Sequence, residues 1–97
     1  MSTYVCLFNW TDEGIRNYRN TTHRAADFAK LVENHGGRVR DQVWTVGEYD
    51  TVAIADFPDD ESGVAALLQV GSLGNVRSRT LRAFSAEEMS GIIGRTR

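Results

Sequence analysis

Residues 3–10 (TYVCLFNW) are apolar or aromatic at nearly every position and carry no charge. Alternation places Tyr4, Cys6, Phe8 and Trp10 on one side and Thr3, Val5, Leu7 and Asn9 on the other. Such a run predicts a central strand, buried on both faces. Residues 38–46 (RVRDQVWTV) alternate polar and apolar, as a half-exposed strand does. Residues 50–57 (DTVAIADF) are again mostly apolar. Residues 76–84 (VRSRTLRAF) predict a last strand, with Arg77, Arg79, Leu81 and Ala83 on one face and Val76, Ser78, Thr80, Arg82 and Phe84 on the other. One β-bulge would reverse that alternation.

Between the strands the period becomes helical. Thr11 is placed to cap a short segment reaching about Tyr18, with Asp12 and Glu13 where the helix dipole favours acids. Thr22 is expected to cap a second segment carrying Ala25, Phe28, Ala29, Leu31 and Val32, which ends at Gly36-Gly37. Pro58 stops the third strand, and Asp59-Asp60 start a helix. Val64, Leu67, Leu68 and Gly71 form the stripe expected to face its core, and Gly74-Asn75 closes it. Ser85-Ala86-Glu87-Glu88 has the form of a capping box and opens a C-terminal helix with Met89, Ile92 and Ile93.

The order β-α-β-β-α-β predicts an α+β, ferredoxin-like plait over 1–97, with a short C-terminal helix and both main helices on one face. Yet the first and third strands are apolar on both sides. The second face therefore needs a cover, and in 97 residues the expected cover is another subunit. The chain is thus read as a homodimer or higher homo-oligomer.

Composition narrows the partners. At 41% hydrophobic and 25% charged the chain is an ordinary globular domain, large enough for one core. A net charge of −2 argues against nucleic acid or an anionic membrane as partner. The single Cys6 excludes an internal disulfide, and the start shows no signal peptide, so a cytoplasmic location is expected. His23 and His35 are twelve apart, without zinc spacing, and no phosphate loop, nucleophile elbow or dinucleotide fingerprint occurs, so neither metal nor cofactor is expected.

The loop Val46-Gly47-Glu48-Tyr49-Asp50 lies between the second and third strands, with Gly47 available for positive φ. Around it run Tyr4 and Leu7, Thr11-Asp12-Glu13-Gly14-Ile15, Arg24, Gly36-Gly37, Trp44, Pro58-Asp59-Asp60, Gly74-Asn75-Val76-Arg77 and Arg82-Ala83-Phe84. This ordered set, spanning nearly the whole chain, resembles the GYD family of small bacterial and archaeal proteins. The resemblance implies a dimeric α+β barrel-like assembly, in which sheets of two subunits pack face to face. It carries over no reaction.

Several residues admit a functional and a structural reading. Asp50 can act as a base or ligand anchor, or accept backbone N–H bonds from the turn. Tyr49 can offer its hydroxyl to a ligand or pack its ring at an interface. Asp56, a charge within an apolar strand, needs a partner, with Arg24, Arg77, Arg79 and Arg82 as the options; unpaired in a cavity it becomes a base. Trp44 and Trp10 can line a pocket for a planar ligand or fill a core. His23 and Arg24, near a helix start, can bind an anion. Asp50, Asp56 and His23 are the catalytic candidates. Trp44, Tyr49, Asp50, Arg24 and Arg79 are the ligand-binding candidates. A homo-oligomeric small-molecule-binding protein is the leading reading. A cofactor-free oxygenase- or isomerase-like enzyme on a small aromatic or lactone-like compound, and a purely structural assembly module, are the alternatives.

Overall fold

A computed structural model describes residues 1–96. Its elements are β1 (Ser2–Trp10), α1 (Asp12–Arg16), a 3-10 turn (Tyr18–Asn20), α2 (Thr21–Asn34), β2 (Arg38–Trp44), β3 (Thr51–Phe57), α3 (Asp60–Ser72), β4 (Val76–Ala83) and α4 (Ala86–Ile93). The strands form one antiparallel sheet in the order β2-β3-β1-β4. This is the expected α+β ferredoxin-like plait.

The helix starts follow their capping chemistry. The Thr11 side chain accepts the Gly14 amide at 3.1 Å, and the Asp59 carboxylate accepts that of Ser62 at 2.8 Å. Thr22 caps nothing: α2 begins at Thr21 directly from the 3-10 turn, and Asn20 holds the cap position without a side-chain bond. The far end of α2 closes as a Schellman motif. Gly36 adopts φ 81°, its amide donates to Glu33 and that of Gly37 to Val32.

One face of the sheet is buried against α2 and α3. Tyr4, Cys6 and Phe8 of β1 meet Ala53, Ala55 and Phe57 of β3, and Phe28, Val32, Ala66 and Val70 descend from the helices. Phe8 and Phe28 pack edge to face at 5.4 Å, as do Tyr4 and Phe57 at 5.9 Å. The inward face of α3 is not the expected stripe. Gly63, Ala66 and Val70 point inward, while Val64 is 52% and Leu68 70% exposed. The reason is steric. Helix and sheet approach so closely that a Cβ on Gly63 would stand 2.6 Å from the Tyr4 ring, so small residues own the contact.

The opposite face has no helix over it among the described residues. By register it presents Val5 and Leu7 of β1, Val52 and Ile54 of β3, Val43 of β2 and Leu81 of β4. Each of these six is half-buried or exposed. The apolarity on both sides of β1 and β3, read from sequence, is therefore real and only half satisfied within one chain.

Candidate functional site

Three constellations place the chemistry-bearing side chains. The first surrounds the hairpin loop. Gly47 adopts φ 133°, and the Thr45 amide donates to the Asp50 carbonyl at 2.9 Å to close the turn. Asp50 then reaches across to β1. Its amide donates to the Phe8 carbonyl at 2.9 Å, and its carboxylate accepts the Trp10 amide at 2.8 Å. Asn9 adds a bond from its amide group to the Glu48 carbonyl at 2.7 Å. Tyr49 is half-buried and its carbonyl accepts the Thr45 hydroxyl. Trp44 donates its indole N–H to the Thr21 hydroxyl at 2.9 Å, tying the hairpin base to the start of α2. The loop is thus fastened to β1 by Asp50 and to α2 by Trp44.

Between these two fastenings lies a cavity of about 190 Å³. Phe8, Trp10, Phe28, Leu31 and Leu73 make its apolar walls, with Arg24 at one side. The Arg24 guanidinium donates to the Asn17 carbonyl at 2.7 Å and the Gly14 carbonyl at 3.1 Å, satisfying the open C-terminal end of α1. His23 stands outside the cavity on exposed α2 surface, 3.6 Å from Asp27 one turn on.

The second constellation is on the open sheet face. Asp56 is buried, accepts the Thr3 hydroxyl at 2.5 Å, and pairs with Arg40 at 2.9 Å and Arg38 at 3.8 Å. It is an ion pair, but its partners come from β2 and not from Arg24 or the last strand. The cause is a register shift between Val39 and Asp41, which brings both β2 arginines to one carboxylate. The bulge thus sits in β2 and not in β4. Arg77 and Arg79 lie on the open face, Arg79 opposite Leu7, and Arg82 lies on the helix side.

The third constellation joins residues that the family resemblance names one by one but that no spacing brings together. Asp60, in the first turn of α3, accepts the Tyr4 hydroxyl at 2.7 Å and Arg82 Nε at 3.2 Å. The Arg82 guanidinium also lies 4.5 Å from the Phe84 ring centroid. Burial, with the Asp60 carboxylate beside it, pushes the Tyr4 phenol up to about 12. The hydroxyl of Tyr4 holds the Asp60 carboxyl below its ordinary value. A Tyr on β1, an acid after Pro58 and an Arg on β4 are too far apart in sequence for spacing to reveal, and only antiparallel register joins them. Burial likewise pushes the Cys6 thiol up to about 12, which makes it an inert core group. No group of His, Cys, Asp or Glu among the described residues has metal-ligating geometry. No helix among them is long and apolar enough to cross a membrane.

A four-stranded plait with one face uncovered and a fastened hairpin at one end defines a small α+β ferredoxin-like domain. The chain belongs to the GYD family, whose domain model matches residues 4–93. A Thermus thermophilus relative, named glutamine synthetase and cystathionine beta-lyase binding protein, is 28% identical over 90 residues, covering 92% of this chain and 95% of its own. A crystal structure of a Thermus thermophilus protein superposes with a TM-score of 0.58 at 25% identity, over 89% of this chain and 96% of that one.

Proposed function

We propose that the chain is a homo-oligomeric binding protein: the open sheet face packs on that of a second copy, and the cavity beneath α2 holds a small, mainly apolar molecule. The observation that carries this reading is the uncovered patch of Val5, Leu7, Val43, Val52, Ile54 and Leu81. Four strands of seven to nine residues span roughly 20 by 25 Å. That outline, about 500 Å², supplies a large part but not all of the roughly 800 Å² per partner of a standard interface. The apolar patch at its centre, left in water, favours association.

The cavity sets the size of the ligand. A dry cavity of about 150 Å³ admits a benzene-sized molecule, so this one suits a single small ring. Trp10 and Phe28 would flank it, Arg24 would supply the one cation, and Asp50 and Trp44 would hold the walls. Binding rather than turnover is supported by how the acids are used: Asp50 is engaged by the Trp10 amide and Asp56 by Thr3 and Arg40. Neither carboxylate lines the cavity, whose one acid is the exposed Asp27 beside His23, so the enzyme alternative draws no support from Asp50 or Asp56.

A second reading has its own observation. The Thermus relative is named for binding two enzymes, and a partner protein could take the same open face. Native mass spectrometry of protein from its own cells, gentle and then denaturing, separates these outcomes. A multiple of 10.8 kDa with a small mass released on denaturation is expected. A bare monomer would overturn the proposal, and a complex with a larger chain would favour the second reading.

A further inference from the structure

The Val64-Leu67-Leu68-Gly71 stripe has the spacing of a buried helix face, yet only Leu67 reaches the core of its own chain, and Val64 and Leu68 point away from it. The stripe forms one wall of a groove whose other wall is β4, through Val76, Ser78 and Thr80, with Arg77 at the rim. A Cβ on Gly71 would meet nothing within 4 Å, so another backbone can approach there. A helix stripe of this regularity costs solubility unless something covers it.

The same chain carries an equally uncovered helix. α4 buries no residue, although Met89, Ile92 and Ile93 share one face at i, i+3, i+4 spacing. It is a well-made helix: Ser85 and Glu88 form a complete capping box, with bonds of 2.9 and 3.1 Å. Ser85, extended at φ −69° and ψ 167°, links β4 to α4, and Phe84 before it lies against the Arg82 guanidinium.

We propose that α4 of one chain lies in the α3–β4 groove of a second copy. Each surface carries apolar residues that lack a full cover in a single chain, Val64 and Leu68 on the α3 wall and Met89, Ile92 and Ile93 on α4. Their lengths match, since α4 has eight residues and the stripe spans the same number from Val64 to Gly71. Their charges are compatible as well: Glu88, one turn before Ile92 on the same side of α4, would bring the carboxylate that also caps Ser85 to a groove lined in part by Arg77. The inference rests on the self-association proposed above, and adds to the sheet face a second contact contributed by the exchanged terminus.

Disulfide trapping between differently tagged copies tests it. One copy carries Leu68→Cys and the other Ile92→Cys, both at exposed positions, while Cys6 is buried and stays silent. On mixing and mild oxidation, a disulfide between the two tags is expected, at least about tenfold more than with Glu87→Cys on the opposite side of α4, because bridging requires Cα atoms within roughly 7 Å. No such bridge in a sample that native mass still shows as an oligomer would overturn the docking of α4 and leave the sheet-face reading standing. A monomer in native mass would overturn both. A chain carrying both Leu68→Cys and Ile92→Cys that closes on itself and not between copies would assign α4 to its own groove and overturn the exchange.

Discussion

Asp56 sets the first test, because its surroundings allow the cost of its loss to be worked out. Its side chain is 10% exposed, whereas Arg40 is 46% and Arg38 70% exposed. In Asp56→Ala the Thr3 hydroxyl loses a charged acceptor, worth about 1.5–3 kcal/mol. Arg40 keeps water on one side, so its pair adds at most about 1 kcal/mol, and the longer Arg38 pair adds little. The sum is about 1.5–4 kcal/mol, which in a domain of this size lowers the melting temperature by about 6–30 °C. Asp56→Asn retains a carbonyl acceptor for Thr3 and removes only the charge, so it should cost about 1 kcal/mol. Thermal melts followed by circular dichroism give both values. A loss below about 3 °C in Asp56→Ala, or equal losses in the two variants, would refute the division between hydrogen bond and ion pair.

Three further outcomes are expected. Gly63→Ala should destabilise by about 1–3 kcal/mol, although alanine favours helix, because Tyr4 is pinned by Asp60 and cannot yield to a Cβ; an unchanged or higher urea midpoint would contradict this. A thiol reagent at mildly alkaline pH should leave Cys6 unmodified in the folded protein and titrate it fully in denaturant, since burial holds the thiol up at about 12; rapid labelling of the native protein would show that the core opens. Acid should weaken the fold through Asp59, Asp60 and Glu88, whose carboxyls are held low by the Ser62 amide, the Tyr4 hydroxyl and the Ser85 amide. A depressed folded pKa gives stability that is present above the unfolded value, about 4, and lost as pH falls through the folded one. Asp60→Asn should therefore shrink the loss of stability on acidification, and an acid limb identical to that of the unaltered protein would remove Asp60 from the account.

Much of this architecture is legible in the sequence. The capping signals at Thr11, Asp59 and Ser85, the Gly36 terminus and the two-faced apolarity of β1 are local, and each reports a local bond or a local alternation. What the chain hides depends on distances between elements. Hydrophobic spacing turns the α3 stripe inward because Val64, Leu67 and Leu68 are its largest residues. The actual core face is Gly63-Ala66-Val70, chosen by how closely helix and sheet approach. Asp56 announces its need for a partner, but a bulge in β2 selects Arg40, and no alternation rule locates a bulge. The cavity between Trp10 and Arg24 is hidden for the same reason: its walls come from β1, α2 and the end of α3, brought together only by the plait.

The central claim is that the open sheet face is closed by a second copy, and sedimentation equilibrium of the protein beside its Leu7→Asp variant tests it most directly. Leu7 lies in the middle of the open face, between Val52 and Arg79. Asp at that site meets water in a lone chain and an apolar surface in an assembly. The account predicts at least twice the 10.8 kDa chain mass for the unaltered protein, and a folded 10.8 kDa monomer for the variant. An unaltered protein that sediments as a monomer, or a variant whose assembly is undiminished, would contradict it.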